Sequence, residues 1–169
     1  RVYGATTVGT VSGAPTVTPL PGDDVAVSGT GIAIFDSKNV GEARPVTISG
    51  FTLTGVDAPN YSLLLPSSLS ASTAPRPIAP TGIRAVDRVA DNSNTVQLNT
   101  SQAALPGVLP GDTVALVLNT PFGLVDSPTP GVAKPVTLVG FSLSGVDAPN
   151  YSLNLRPVAG GAGVVAGSE

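Results

Sequence analysis

The sequence predicts an all-β protein: two tandem antiparallel β-sandwich units of immunoglobulin-like type, at residues 1–77 and 78–169. Three observations carry this. Val (23) outnumbers Leu (16), and 20 Gly and 17 Pro are spread through 169 residues, which favours short strands joined by turns over helical bundles. A long segment occurs twice. Helix signals are poor: only Ser101–Leu105 suits a turn or two of helix, and Pro106 ends it. A β-grasp fold is the alternative, but it needs a helix packed across the sheet, and no segment is long enough to supply one.

The repeat defines the elements. Arg44–Leu65 and Lys134–Leu155 are identical at 16 of 22 positions with an offset of 90, nine of them unbroken from Gly55 to Leu63 and from Gly145 to Leu153. Pro21-Gly22-Asp23 matches Pro110-Gly111-Asp112 at offset 89, and Arg1-Val2 matches Arg88-Val89 at offset 87. The changing offsets predict small insertions in loops between fixed elements, with the units meeting near Ile78 to Asp87.

In chain order, Asp24–Val27, Gly31–Phe35 and Thr113–Leu118 read as strands. Val46 and Ile48 then alternate with polar or small residues, as do Val136 and Leu138, with Pro45 and Pro135 at strand starts, where a missing N–H is tolerated. At Gly50-Phe51 and Gly140-Phe141 the alternation slips by one residue. A slip would turn an apolar face outward, so a glycine there predicts a bulge or kink. Tyr61, Leu63 and Leu65 alternate again, matched by Tyr151, Leu153 and Leu155. Between them, Leu64 is replaced by Asn154, so this position faces water. Phe51, Leu53, Tyr61, Leu63, Phe141, Leu143, Tyr151 and Leu153 are the expected core. The segment Ala74–Pro80 is expected to be an extended Pro-rich connector. The first unit has no counterpart of Ile78–Val86, so either that strand belongs to a preceding repeat or a sheet edge is left open there, and the tail with Val158, Val164 and Val165 either closes its own unit or is donated to a neighbour.

Composition excludes more than it implies. With no His, Cys, Met or Trp, neither Ser-His nor Cys-His catalysis nor a His/Cys metal site is available. The net charge of −3 offers no footprint for nucleic acid, and no apolar run is long enough for a membrane-spanning segment. The absence of Cys fits an exported bacterial protein as easily as a cytosolic one. A start at Arg1 without a leader suggests a piece of something longer.

The candidate site is the Asp57, Asn60, Tyr61 motif and its copy Asp147, Asn150, Tyr151. Asp and Asn cap turns through nearby backbone N–H groups, and Pro59 sets φ within the turn. The tyrosine then enters a strand, where its ring is expected to be buried and its hydroxyl to reach backbone a few residues upstream. The motif therefore reads as structural, with no catalytic, cofactor or metal residue. The cluster Asp87, Asp91, Asn92, Ser93, Asn94 lacks calcium-loop spacing and reads as a solvated turn. Paired carboxylates for glycoside hydrolysis lack aromatic platforms beside them. Lys38 and Lys134 are not equivalent in the repeat, which excludes a repeated isopeptide cross-link.

These residues resemble a known family. Arg1-Val2-Tyr3-Gly4-Ala5-Thr6-Thr7 is similar to the K-V-Y-D-G-T-T opening of the YDG-type repeat domains of bacterial filamentous-haemagglutinin-like surface exoproteins. Lys38-Asn39-Val40-Gly41 resembles their K-N-V-G element, and Gly55–Leu63 their G-x-D-A-x-N-Y-x-L signature. The second copy departs at the opening, where Ala90 and Asn92 stand for Tyr and Gly, and at Pro128-Thr129-Pro130-Gly131, which keeps only the glycine. The resemblance implies a structural or adhesive segment of a large secreted or cell-surface protein, extracellular and without enzymatic activity. Its implied partners are neighbouring repeats of the parent protein, with a host or matrix protein or glycan as a further expectation. The alternatives are a glycan- or protein-binding module acting through end loops, and a strand-exchanging subunit of an extracellular filament.

Overall fold

A computed structural model of the chain describes residues 1–13 and 15–159. They contain strands, turns and two single-turn 3-10 segments, Ala58–Asn60 and Ala148–Asn150, but no α-helix. No helix among them is long and apolar enough to cross a membrane. The chain divides into two compact units, Arg1–Ala74 and Pro75–Glu169.

The first unit is one four-stranded antiparallel sheet in the order β1-β2-β3-β4, formed by β1 (Val8–Thr10), β2 (Ala26–Phe35), β3 (Gly41–Thr54) and β4 (Leu69–Thr73). Its opening and closing residues meet: Val2 and Ala74 form a parallel bridge, and Tyr3 N–H donates to Ala74 O at 2.9 Å.

The second unit adds β5 (Arg76–Ile78), β6 (Arg84–Ala85), β7 (Thr95–Val96), β8 (Leu98–Asn99), β9 (Ala115–Leu124), β10 (Pro135–Ser144), β11 (Tyr151–Leu153) and β12 (Val158–Ala159). Its main sheet has the order β12-β10-β9-β7, the same as the first read from its other edge. Val46 pairs with Leu69 and Val136 with Val158, while Val8 pairs with Ile34 and Thr95 with Leu124. The repeat in sequence is thus a repeat in strand order and register. One of the sheets curls into a half-barrel. Small two-stranded sheets, β11-β5 and β6-β8, complete the second unit. The fold is all-β and mainly antiparallel, while the immunoglobulin-like pairing of two stacked sheets is not what these ladders show.

The glycine at the phase break works as expected, with one correction. Gly50 (φ +88) and Gly140 (φ +87) each face a register shift, but the extra residues lie on the partner strand. Thr30 and Gly31 oppose Gly50, and Asn119, Thr120 and Pro121 oppose Gly140. A Cβ at Gly50 would run into the Thr30 carbonyl, so only glycine fits this backbone. The one-residue insertion between the copies here falls inside β9 and not in a loop.

Burial also departs from expectation. Of the eight expected core residues only Tyr151 is buried; the other seven are half-buried. Two clusters of buried apolar side chains lie beyond the bulge: Ala33, Phe35 and Val46 with Val11 and Leu69 in the first unit, and Val96, Val125 and Val136 with Ala85, Ala90, Leu98 and Val158 in the second. The ladders explain this. Around Phe35 and Val46 the sheet is flanked by β1 and β4, whereas Phe51–Thr54 pairs only with Ala26–Gly29. The same holds for Phe141–Ser144, which pairs only with β9. Leu64 is 90% exposed and Asn154 is exposed, as the copy-to-copy exchange requires.

The expected connector belongs to the units themselves. Ala74 is bridged to Val2, and Arg76–Ile78 is a strand paired in parallel with Tyr151–Leu153. Ser101–Leu105 forms a turn, with Ala104 bridged to Thr81. Val158 of the tail pairs with Val136 in its own unit; Val164 and Val165 lie outside the described residues.

Candidate functional site

Each unit places the repeated motif at the end of its long hairpin. Gly55 leads into a tight turn in which Asn60 N–H donates to Asp57 O (3.0 Å) and Tyr61 N–H to Ala58 O (3.1 Å). Pro59 sits at the start of this single turn, where its missing N–H costs nothing. Tyr61 leaves it in an extended conformation (φ −119°, ψ 150°).

The Asp57 carboxylate does not cap its own turn. Its Oδ2 accepts the backbone N–H of Asp24 at 2.9 Å, 33 residues upstream, while Asp57 N–H donates to Asp24 O at 3.2 Å. The second unit does the same: Thr113 N–H donates to Asp147 Oδ2 (2.9 Å) and Asp147 N–H to Thr113 O (3.2 Å).

The tyrosine hydroxyl also reaches farther than expected. Tyr61 OH donates to Asp23 Oδ2 (2.7 Å) and accepts Leu20 N–H (2.9 Å). Tyr151 OH donates to Asp112 Oδ2 (2.8 Å) and accepts Leu109 N–H (2.9 Å). The partner is the Pro-Gly-Asp turn about forty residues upstream, itself closed by Asp23 N–H to Leu20 O (3.1 Å) and Asp112 N–H to Leu109 O (3.1 Å). The turn and the motif form one lock, in which a hydroxyl and two carboxylates tie a loop to the strand end. The sequence motif omits Asp23 and Asp112. The signal for them is the Pro-Gly-Asp triplet kept in both copies while Asp24 becomes Thr113.

The two locks differ in cover. Asp147, Asn150 and Tyr151 are 8%, 4% and 6% exposed. Asp57 and Tyr61 are half-buried and Asn60 is exposed. The Leu20 N–H favours the Tyr61 phenolate, but the Asp23 carboxylate that accepts its proton, partial desolvation and the charges of Asp23 and Asp57 outweigh it. The phenol is held above its usual value.

Other candidate residues are engaged in local ties. Asp91 Oδ1 accepts Ser93 N–H (3.0 Å) and pairs with Arg88. Lys134 Nζ pairs with Asp126 (3.1 Å) and donates to Ser127 O (2.8 Å) and Thr129 O (3.0 Å), holding the Asp126 carboxyl below its usual range. Its counterpart is Arg44, paired with Asp36 at 3.4 Å. Among the described residues no three Asp or Glu side chains gather as a metal site.

A family model for the YDG domain matches residues 1–71 and again 74–159. The chain belongs to the YDG domain family, and carries two of its domains in tandem. No curated protein and no solved structure matches it.

Proposed function

We propose that the chain is a structural or adhesive tandem-repeat segment of a large secreted or cell-surface bacterial protein, holding or displaying a binding region and catalysing nothing itself. The observation that carries this reading is the lock. Its most strictly repeated polar atoms, the tyrosine hydroxyl and the Asp carboxylates, are spent on tying a distant loop to a strand end. A site built for chemistry needs such groups turned toward a substrate. The finer fold reading, an immunoglobulin-like sandwich, belongs with this proposal, and in it the β5–β11 pair would begin the second layer.

One feature favours the recognition alternative. Val56 and Val146, equivalent residues beside each lock, are 83% and 81% exposed. The test is a glycan array and a matrix-protein pull-down with the full chain. A spacer retains nothing specifically. Saturable binding lost on Val56→Ser with Val146→Ser would replace the spacer reading with the recognition one.

A further inference from the structure

We infer that the first unit carries an acceptor groove for a parallel β-strand of Arg-Pro-Ile type, supplied from ahead of that unit as Arg76–Ile78 is supplied ahead of the rest of the second. In the second unit Arg76, Pro77 and Ile78 pair in parallel with Tyr151, Ser152 and Leu153, and Asn154 N–H donates to Ile78 O at 2.7 Å. Ile78 is 5% exposed, with its Cγ2 3.4 Å from where a Cβ would stand on Gly107. In the first unit the same tyrosine strand, Tyr61–Leu63, forms no ladder. The first unit has no counterpart of Pro75–Asp87 in this sequence, because Arg1 aligns with Arg88.

The groove sits where that strand belongs. A cavity of about 140 Å³ is lined by Thr18, Pro19, Val25, Leu53, Tyr61 and Leu63. Thr18 is the counterpart of Gly107 and Leu63 of Leu153, the residues beside Ile78 in the second unit. Part of its lining is the end of an identical nonapeptide, Gly55–Leu63, whose Asp, Asn and Tyr are buried only in the unit where β5 is present. Since the sequence is the same, the difference in cover lies with the neighbours. Main-chain pairing gives such a strand its affinity and the buried Ile its register. Pro77 is tolerated because an edge strand need not donate at every residue. A second copy of the chain is the weaker donor, because its own Arg76–Ile78 is already paired with its own Tyr151–Leu153.

The test extends the full chain at its N-terminus with a second copy of Pro75–Asp87, which sets the added strand at the same spacing from Arg1 as Ile78 has from Arg88. Amide exchange is read at Leu64, with its counterpart Asn154 as internal reference. The extension should slow Leu64 exchange by about 10-fold or more, toward the Asn154 rate. The Ile78→Asp change, made in the appended copy only, should abolish the slowing and leave Asn154 as it was. Unchanged Leu64 exchange in the extended chain overturns the inference, as does slowing that survives the Asp change. So does concentration-dependent dimerisation of the unextended chain with Leu64 already protected, which would make a second copy the occupant.

Discussion

The nine residues Gly55–Leu63 recur unchanged as Gly145–Leu153, and their Asp and Tyr side chains make the same lock hydrogen bonds at nearly the same distances, yet Tyr151 is buried and Tyr61 is only half-buried. Local sequence therefore sets the geometry of the lock, and its surroundings set how dry it is. The cores show the converse. Gly9, Ala33 and Phe35 of the first unit correspond to Val96, Gly123 and Val125 of the second: Gly9 pairs with Ala33 as Val96 does with Gly123, and Phe35 N–H donates to Thr7 O as Val125 N–H does to Asn94 O. A Cβ on Gly9 would stand 2.8 Å from Phe35 Cε2, and one on Gly123 would run into Val136. Large and small have changed places, so different residues fill the same space.

Loosening the strand that covers the second lock should have the largest effect. Ile78→Ala should cost about 2–4 kcal/mol, as for other buried aliphatic truncations. The second unit should lose that stability while the first keeps its unfolding midpoint in a denaturant titration followed unit by unit. Equal losses in both units would show that β5 does more than cover one lock.

The exchanged cores predict a rescue. Gly9→Val alone should destabilise the first unit by about 1–3 kcal/mol through overpacking against Phe35. Adding Phe35→Val moves the unit toward the Val96 and Val125 arrangement and should restore a good part of the loss. A double-mutant cycle on chemical unfolding measures it. Strict additivity would mean that the two side chains do not share one space.

The locks should respond unequally to the loss of the hydroxyl. Tyr151→Phe removes the hydroxyl between the half-buried Asp112 carboxylate and Leu109 N–H beside a buried ring, and should cost about 1–3 kcal/mol. Tyr61→Phe should cost less, because its ring is only half-buried and Leu20 is exposed, so water can replace the hydroxyl. Alkali sharpens the contrast. The folded Tyr61 phenol titrates above its usual value of 10.0, so the folded state holds its proton more tightly than the unfolded state does. The stability this contributes is present below the unfolded value and is lost as the pH rises through the folded one. A spectrophotometric phenol titration should therefore place Tyr61 above a free tyrosine, and Tyr61→Phe should remove that part of the alkaline loss.

How much of this was legible in the sequence follows from range. The long hairpins, the glycine at the phase break and the outward Leu64/Asn154 position are written as alternation within a dozen residues, and the ladders follow them. The partners of Tyr61 and Tyr151 lie about forty residues away, and nothing near the tyrosine names them; only the recurrence of a second repeated triplet does. Arg76–Ile78 misleads because prolines on either side read as extended connector, while the parallel partner of that strand stands some seventy residues downstream. Alternation also shows that one face of Phe51 and Leu53 is drier than the other, but not how wide the sheet around them is. That width is what leaves them half-buried.

The smallest effect concerns the opening motif, where the two copies solve one backbone problem differently. Ala5 has φ +56° and its counterpart Asn92 has φ +62°, so the chain takes a left-handed turn at this position in both units. The family's Y-D-G pattern has glycine here, the residue that makes this turn without a Cβ penalty. Asn tolerates it through its short polar side chain, whereas Ala pays the full steric cost of about 1–2 kcal/mol. Ala5→Gly should relieve that strain at the expense of some unfolded-state entropy, leaving a net gain of about 0.5–1 kcal/mol. Asn92→Gly should change little, and Asn92→Ala should bring to the second unit the strain now held by the first. Thermal unfolding of the three variants orders them. If Ala5→Gly loosens the first unit instead, the Ala5 methyl makes a packing contact worth more than the strain it imposes, and the opening motif is held by its side chains and not by its backbone.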